Sequence, residues 1–193
     1  MSNWSPNVIL VDADYLDEVV FDMTVHFEPI IGRHLPPADL CHWLDCVALD
    51  GGLRQGKEEI QAVFLHSQEL EAFRQFAPAH FENELNGKAF NDYVGEFVMQ
   101  SFPVERVVSQ DDFFIESLEA ALLATDVKRI MVVGDMEAYG DRVAKTVSEA
   151  AERKKDVTVY SMRPLEAKGF QPEILGYSLL AALGIRSEEL MKE

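Results

Sequence analysis

Two short runs, Val8-Ile9-Leu10-Val11 and Ile130-Met131-Val132-Val133, constrain this chain more than any other feature. Both are wholly apolar and mostly β-branched. The first stops at Asp12 and the second, after Gly134, at Asp135. A strand with one wetted face alternates apolar and polar residues. A strand without that alternation is covered on both faces, as in a parallel sheet lying between helices. Ile60 to Leu65 and Val157 to Tyr160 read as further strands of the same kind.

Helical patterns separate these runs. Leu16, Val19, Val20, Met23, Phe27, Ile30 and Ile31 recur at helical spacing and stop near Gly32, with Pro36-Pro37 in the loop beyond. A second helix is expected from about Ala38 to Leu49, with Leu40, Trp43, Leu44 and Val47 on its apolar face and Gly51-Gly52 ending it. Gln68 to Phe76 reads as helical and breaks at Pro78. Asp111 or Asp112 is the expected cap of a helix from Phe113 to about Ala124, and another helix is expected from about Asp141 to Arg153. Leu175 to Leu183 reads as a final apolar helix packed across the sheet. Strands alternating with helices imply right-handed crossovers and a three-layer α/β/α domain with a mainly parallel sheet. Residues 80–105 give conflicting signals: Asn86-Gly87 suggests a hairpin turn and Phe97 to Phe102 a strand. This stretch reads as an insertion or a dimer arm.

The chain has 193 residues, which suits one domain spanning 1–193, and 48% of them are apolar, enough for one core. Its formal net charge of −17 repels phosphate backbones and disfavours non-specific nucleic-acid binding unless a cation or a local basic patch intervenes. Met1 to Asn7 lacks a basic leader, and Val8 to Val11 is too short to span a membrane. Cys41 and Cys46, five residues apart in one expected helix, point to different faces and do not suit a disulfide. A reducing, cytoplasmic setting is expected. His26, His34, His66 and His80 have no partner spacing that signals a dyad.

Ligands of such sheets bind beyond the carboxyl ends of the strands. Asp12-Ala13-Asp14 and Asp135-Met136-Glu137 are both acid-x-acid runs placed there, and an acid at the start of the helix after Gln110 would join them. Converging carboxylates must take up protons or share a cation, and hard oxygen ligands suit Mg²⁺ or Mn²⁺. Such a metal activates water and steadies charge on a phosphoryl oxygen. The competing reading is that Asp12 and Asp135 simply cap the helices that follow them.

In these residues the chain resembles the PIN-like nuclease fold and, within it, the NYN-type ribonuclease domains. The opening strand with Asp12-Ala13-Asp14, Asp112 before its helix, and the apolar strand with Gly134-Asp135-Met136-Glu137 are similar in order and spacing to that family's motifs. Glu137 stands where the family usually has Asp, Ala138 replaces an aromatic, and Ser109-Gln110 stand in place of a basic residue. The resemblance implies a divalent-metal-dependent endoribonuclease. Asp12, Asp112 and Asp135 would be its catalytic acids, with Asp14 and Glu137 also binding Mg²⁺ or Mn²⁺. A metal-bound water would attack a phosphodiester of single-stranded RNA without a covalent intermediate.

Two other functions fit the same residues. A PIN-like domain that has lost activity would serve as a binding or dimerisation module, with a homodimer as one form it could take. A haloacid-dehalogenase-like phosphatase would use Asp12 as nucleophile and Asp14 as general acid, although Leu16 and the spacing from Asp135 to Asp141 depart from its pattern. No glycine lies between Asp12 and Glu18, so neither a dinucleotide fingerprint nor a phosphate loop follows the first strand.

Overall fold

A computed structural model describes residues 3–191. Strand β1, Asn7–Asp12, is buried along its whole length. It leads directly into helix α1, Ala13–Ile31, which ends where Gly32 adopts a left-handed conformation (φ 72°) and its N–H returns to the Glu28 carbonyl. A two-residue strand β2, Ala38–Asp39, precedes α2, Leu40–Asp50, whose cap is Asp39. Strand β3 runs Glu58–His66, and β4 is the pair Phe76–Ala77, which joins β2 in a small parallel ladder of its own. Strands β5, Ala89–Asn91, and β6, Gly95–Pro103, follow a π-helical turn at Phe81–Leu85. The rest alternates: α3, Gln110–Leu123; β7, Arg129–Val133; α4, Met136–Glu149; β8, Asp156–Ser161; β9, Gln171–Ile174; α5, Leu175–Ala182; and α6, Ser187–Leu190.

The main sheet has seven strands in the order β5-β6-β3-β1-β7-β8-β9. Every neighbouring pair is parallel except β5 with β6. Because side chains alternate faces along a strand, Ile9, Val11, Met131 and Val133 enter the core shared with α1, α2 and α5. Val8, Leu10, Ile130 and Val132 enter the core shared with α3 and α4. The result is a three-layer α/β/α architecture with a mainly parallel sheet, and the two apolar runs lie side by side at its centre. Trp43 anchors the first layer by donating its indole N–H to Ser178 of α5 (3.1 Å). Among the described residues, no helix is long and apolar enough to cross a membrane.

Several expectations are corrected. Gln68 to Phe76 is not a helix. One acid takes backbone donors there that a helix would have used: Asp17 of α1 accepts the Arg74 and Gln75 N–H groups (2.9 Å each). Phe73 turns into the core against Phe64, Phe76 and Phe81. Long-range packing and a buried acceptor thus override the local pattern. Residues 80–105 are not an arm, since β6 pairs with β3 over nine residues as part of the main sheet. The tight connection of the hairpin lies between Asn91 and Gly95 rather than at Asn86-Gly87. Helix α4 begins at Met136, well before Asp141, because Asp135 caps it and Gly140 is accommodated inside it. Strand β9, short and carrying Pro172 at the sheet edge where a missing N–H is tolerated, had no sequence signal.

Candidate functional site

The chain builds outward from β1 through β3 to β6, then returns to lay β7 on the other side of β1. The reversal makes the carboxyl ends of β1 and β7 the switch point, where open α/β sheets form their ligand crevices. Val11 lies opposite Val133 in register, so Asp12 and the Gly134-Asp135 turn emerge together.

Asp12 is only 5% exposed. It caps α1 by accepting the Tyr15 N–H (3.2 Å) on Oδ1, and the same oxygen accepts the side-chain amide of Gln110 (2.9 Å). Its other oxygen accepts the phenol of Tyr139 (2.7 Å), and that phenol oxygen in turn accepts the Asp135 N–H (2.9 Å). Burial pushes the Asp12 carboxyl up to about 6, partly offset by the bonds from Tyr139 and Tyr15 and reinforced by Asp14 and Asp111. Burial and the facing Asp12 push the Tyr139 phenol far above its ordinary range, so it stays a donor.

Tyr139 reaches this place because α4 is bent in its first turn, where Tyr139 leaves helical geometry (φ −133°, ψ 20°). Gly134 makes room: a Cβ there would lie 2.4 Å from the phenol oxygen and 3.0 Å from the Phe114 ring. The Tyr139 and Phe114 rings pack with centroids 5.0 Å apart.

The remaining acids are held elsewhere. Asp14 accepts both the N–H (2.9 Å) and the hydroxyl (2.5 Å) of Ser67, clamping the start of α1 to the end of β3. Asp135 caps α4 by accepting the Glu137 and Ala138 N–H groups (3.2 and 3.1 Å). Asp112 is exposed and pairs with Arg142 of α4 (2.8 Å), which holds its carboxyl below the usual range. It does not cap α3 either: that role falls to Ser109, whose hydroxyl accepts the Asp112 N–H (3.1 Å). Glu137 pairs on the surface with Arg163 (3.0 Å).

Of the five expected metal-ligating acids, the fold therefore brings the backbone of Asp135 and the side chain of Asp12 to one point, joined through Tyr139. Asp14, Asp112 and Glu137 each turn to a partner of their own. Among the described residues, no group of three or more His, Cys, Asp or Glu side chains is disposed to hold a metal ion. As the side chains stand, the donor set does not fit a divalent cation. A cation needs several free oxygens, whereas both oxygens of Asp12 face protons from Tyr139, Gln110 and Tyr15. Nor does Asp12 offer an open face to a phosphoryl group.

A family model described as "Family of unknown function (DUF6621)" matches residues 1–190. The chain belongs to DUF6621. No curated protein and no solved structure matches it. In this DUF6621 chain two residues complete the centre, Gln110 and Tyr139, and neither belongs to a sequence motif. Their signals were weak: Gln110 is the first residue of its helix, and Tyr139 lies one position beyond the place where the PIN-like pattern has an aromatic.

Proposed function

We propose that this DUF6621 chain is a metal-independent binding module on a PIN-like frame, whose edge acids fasten the fold instead of holding a cation. The observation that carries this reading is the saturation of Asp12 by the Tyr139 phenol and the Gln110 amide. The other acids support it: Asp14 commits both oxygens to a clamp, and Asp135, Asp112 and Glu137 each commit one to a cap or an ion pair. Two free cysteines, both half-buried, suit the cytoplasmic setting that belongs to this reading.

The rival is a Mg²⁺- or Mn²⁺-dependent endoribonuclease acting on single-stranded RNA. What favours it is the meeting of Asp12 and Asp135 at the switch point of the sheet. It requires Tyr139 to leave Asp12 before any cation enters. A melt of chelator-treated protein with and without millimolar Mn²⁺ or Mg²⁺, beside Asp135→Asn, separates the two. A ligand that binds only the folded state raises its melting temperature by mass action. The binding-module reading expects shifts within about a degree for both proteins, and labelled single-stranded RNA left intact. A rise of several degrees in the wild type alone, with metal-dependent cleavage of the RNA, would replace this reading with the nuclease.

A further inference from the structure

Helices α1 and α5 cover the same face of the sheet, α5 packing against α2 and leaving a trough between itself and α1. We propose that this trough docks a basic amphipathic helix of a partner protein. The inference rests on the binding-module reading and gives that module its partner chemistry.

The trough holds about 510 Å³ and its walls are mostly apolar: Val19, Met23 and Phe27 on α1, Tyr177 and Leu180 on α5, and Met162. Ile30, 48% exposed, falls on the same side of α1 by helical spacing and prolongs the apolar surface beyond the cavity. From Val19 to Ile30 the wall runs about 17 Å, the length of three turns of an occupant helix. Tyr177, at the first turn of α5, is 73% exposed. A large aromatic with a polar tip, left in water on the rim of an apolar trough, is the kind of side chain that carries binding energy at interfaces. Two roughly linear walls made of helices suit a third helix seated ridge into groove.

Charge selects the occupant. Of the acids on α1, Asp22 is the one that lines the trough, Asp14 and Asp17 being turned to Ser67 and to the Arg74 and Gln75 N–H groups; α1 has neither lysine nor arginine, and α5 is uncharged. Asp22 makes no ion pair among the described residues, and the lining also holds the imidazole of His26, one turn further along α1. A second copy of the chain would bring the same acids and another charge of −17 against this face, and like charges at an interface oppose association. A helix with an apolar stripe flanked by Lys and Arg buries the trough and meets Asp22 with the opposite sign.

The test is a displayed library of helical peptides that holds Leu at i, i+3, i+4 and i+7 and varies the flanking positions among Lys, Arg, Glu and Gln. Selection on the full chain is expected to enrich Lys and Arg at the flanks. The selected peptides, made synthetically, should bind at least about tenfold more weakly to Tyr177→Ser and to Asp22→Lys. Phe21→Ser, an exposed position on the other flank of α1, should bind them as the wild type does. Each variant's melt verifies that its fold is kept. Enrichment of acidic or neutral flanks, no enrichment, or binding indifferent to Tyr177→Ser would overturn the proposal. So would sedimentation that reveals a dimer dissolved by Tyr177→Ser, since a second copy would then be the occupant. The metal titration reads Asp12 and this selection reads the α1–α5 face, so either reading can fail while the other stands.

Discussion

At the scale of the residue, Asp12 concentrates the tension in this protein. A carboxylate buried between β1 and α4 loses its hydration, and three hydrogen bonds return only part of it. Its proton is consequently held more tightly in the folded chain, up to about 6, than in the unfolded chain near its ordinary 3.8. A group shifted in this direction favours folding most while protonated, and that contribution is lost as pH rises through about 6. Between about pH 4 and about pH 7 the wild type should therefore lose roughly 2 to 3 kcal/mol that Asp12→Asn does not. Denaturant melts of both proteins across that interval check the prediction. If the Asp12→Asn variant instead fell further behind the wild type as pH rises, the ionised carboxylate would be in use, as a cation site would use it.

Among the elements, α4 shows how one local choice propagates. Its helical geometry breaks at Tyr139 so that the phenol can bridge Asp12 and the Asp135 N–H, and Gly134 leaves the space that the bridge occupies. Gly134→Ala is expected to destabilise by about 2 kcal/mol or more, because its methyl has to displace a buried hydroxyl. Tyr139→Phe should cost about 1 to 3 kcal/mol by leaving a carboxylate oxygen and a backbone N–H unpaired. Since the methyl and the hydroxyl contend for one space, the double variant should be more stable than the sum of the two losses by about 1 kcal/mol. Strict additivity in chemical denaturation would mean that Gly134 is needed for another reason. The segment after β3 teaches the same lesson from the other side: its helical pattern is overruled once Asp17 takes two of its backbone donors.

For the whole molecule the dominant quantity is the net charge of −17. Acids crowd inward as well as outward: burial and the neighbouring Asp92 push the Asp45 carboxyl up to about 6, and one Asp45 oxygen has no hydrogen-bond partner among the described residues. Self-repulsion on this scale opposes the compact state and is relieved by salt. Raising KCl from about 10 mM to about 300 mM shortens the screening length from roughly 30 Å to below roughly 8 Å, and the melting temperature should rise by several degrees. An unchanged melt would mean that local ion pairs such as Asp112–Arg142 and Glu137–Arg163 already neutralise the field where it matters. A field of this sign disfavours acidic surfaces and favours basic ones.

The layered α/β plan is written in the order of residues along the chain. Unbroken apolar runs such as Val8 to Val11 and Ile130 to Val133 can be satisfied only by cover on both faces, and helical spacing supplies that cover between them. It also placed Asp12 and Asp135 at one edge, because residues that end adjacent parallel strands emerge together. The partners of those acids are set by the fold. Whether a carboxylate is free for a cation depends on which donors reach it, and Gln110, Tyr139 and Ser67 come from positions 98, 127 and 53 residues from their acids. No local pattern encodes such meetings; they exist only once the strands are in order and the helices have closed over them.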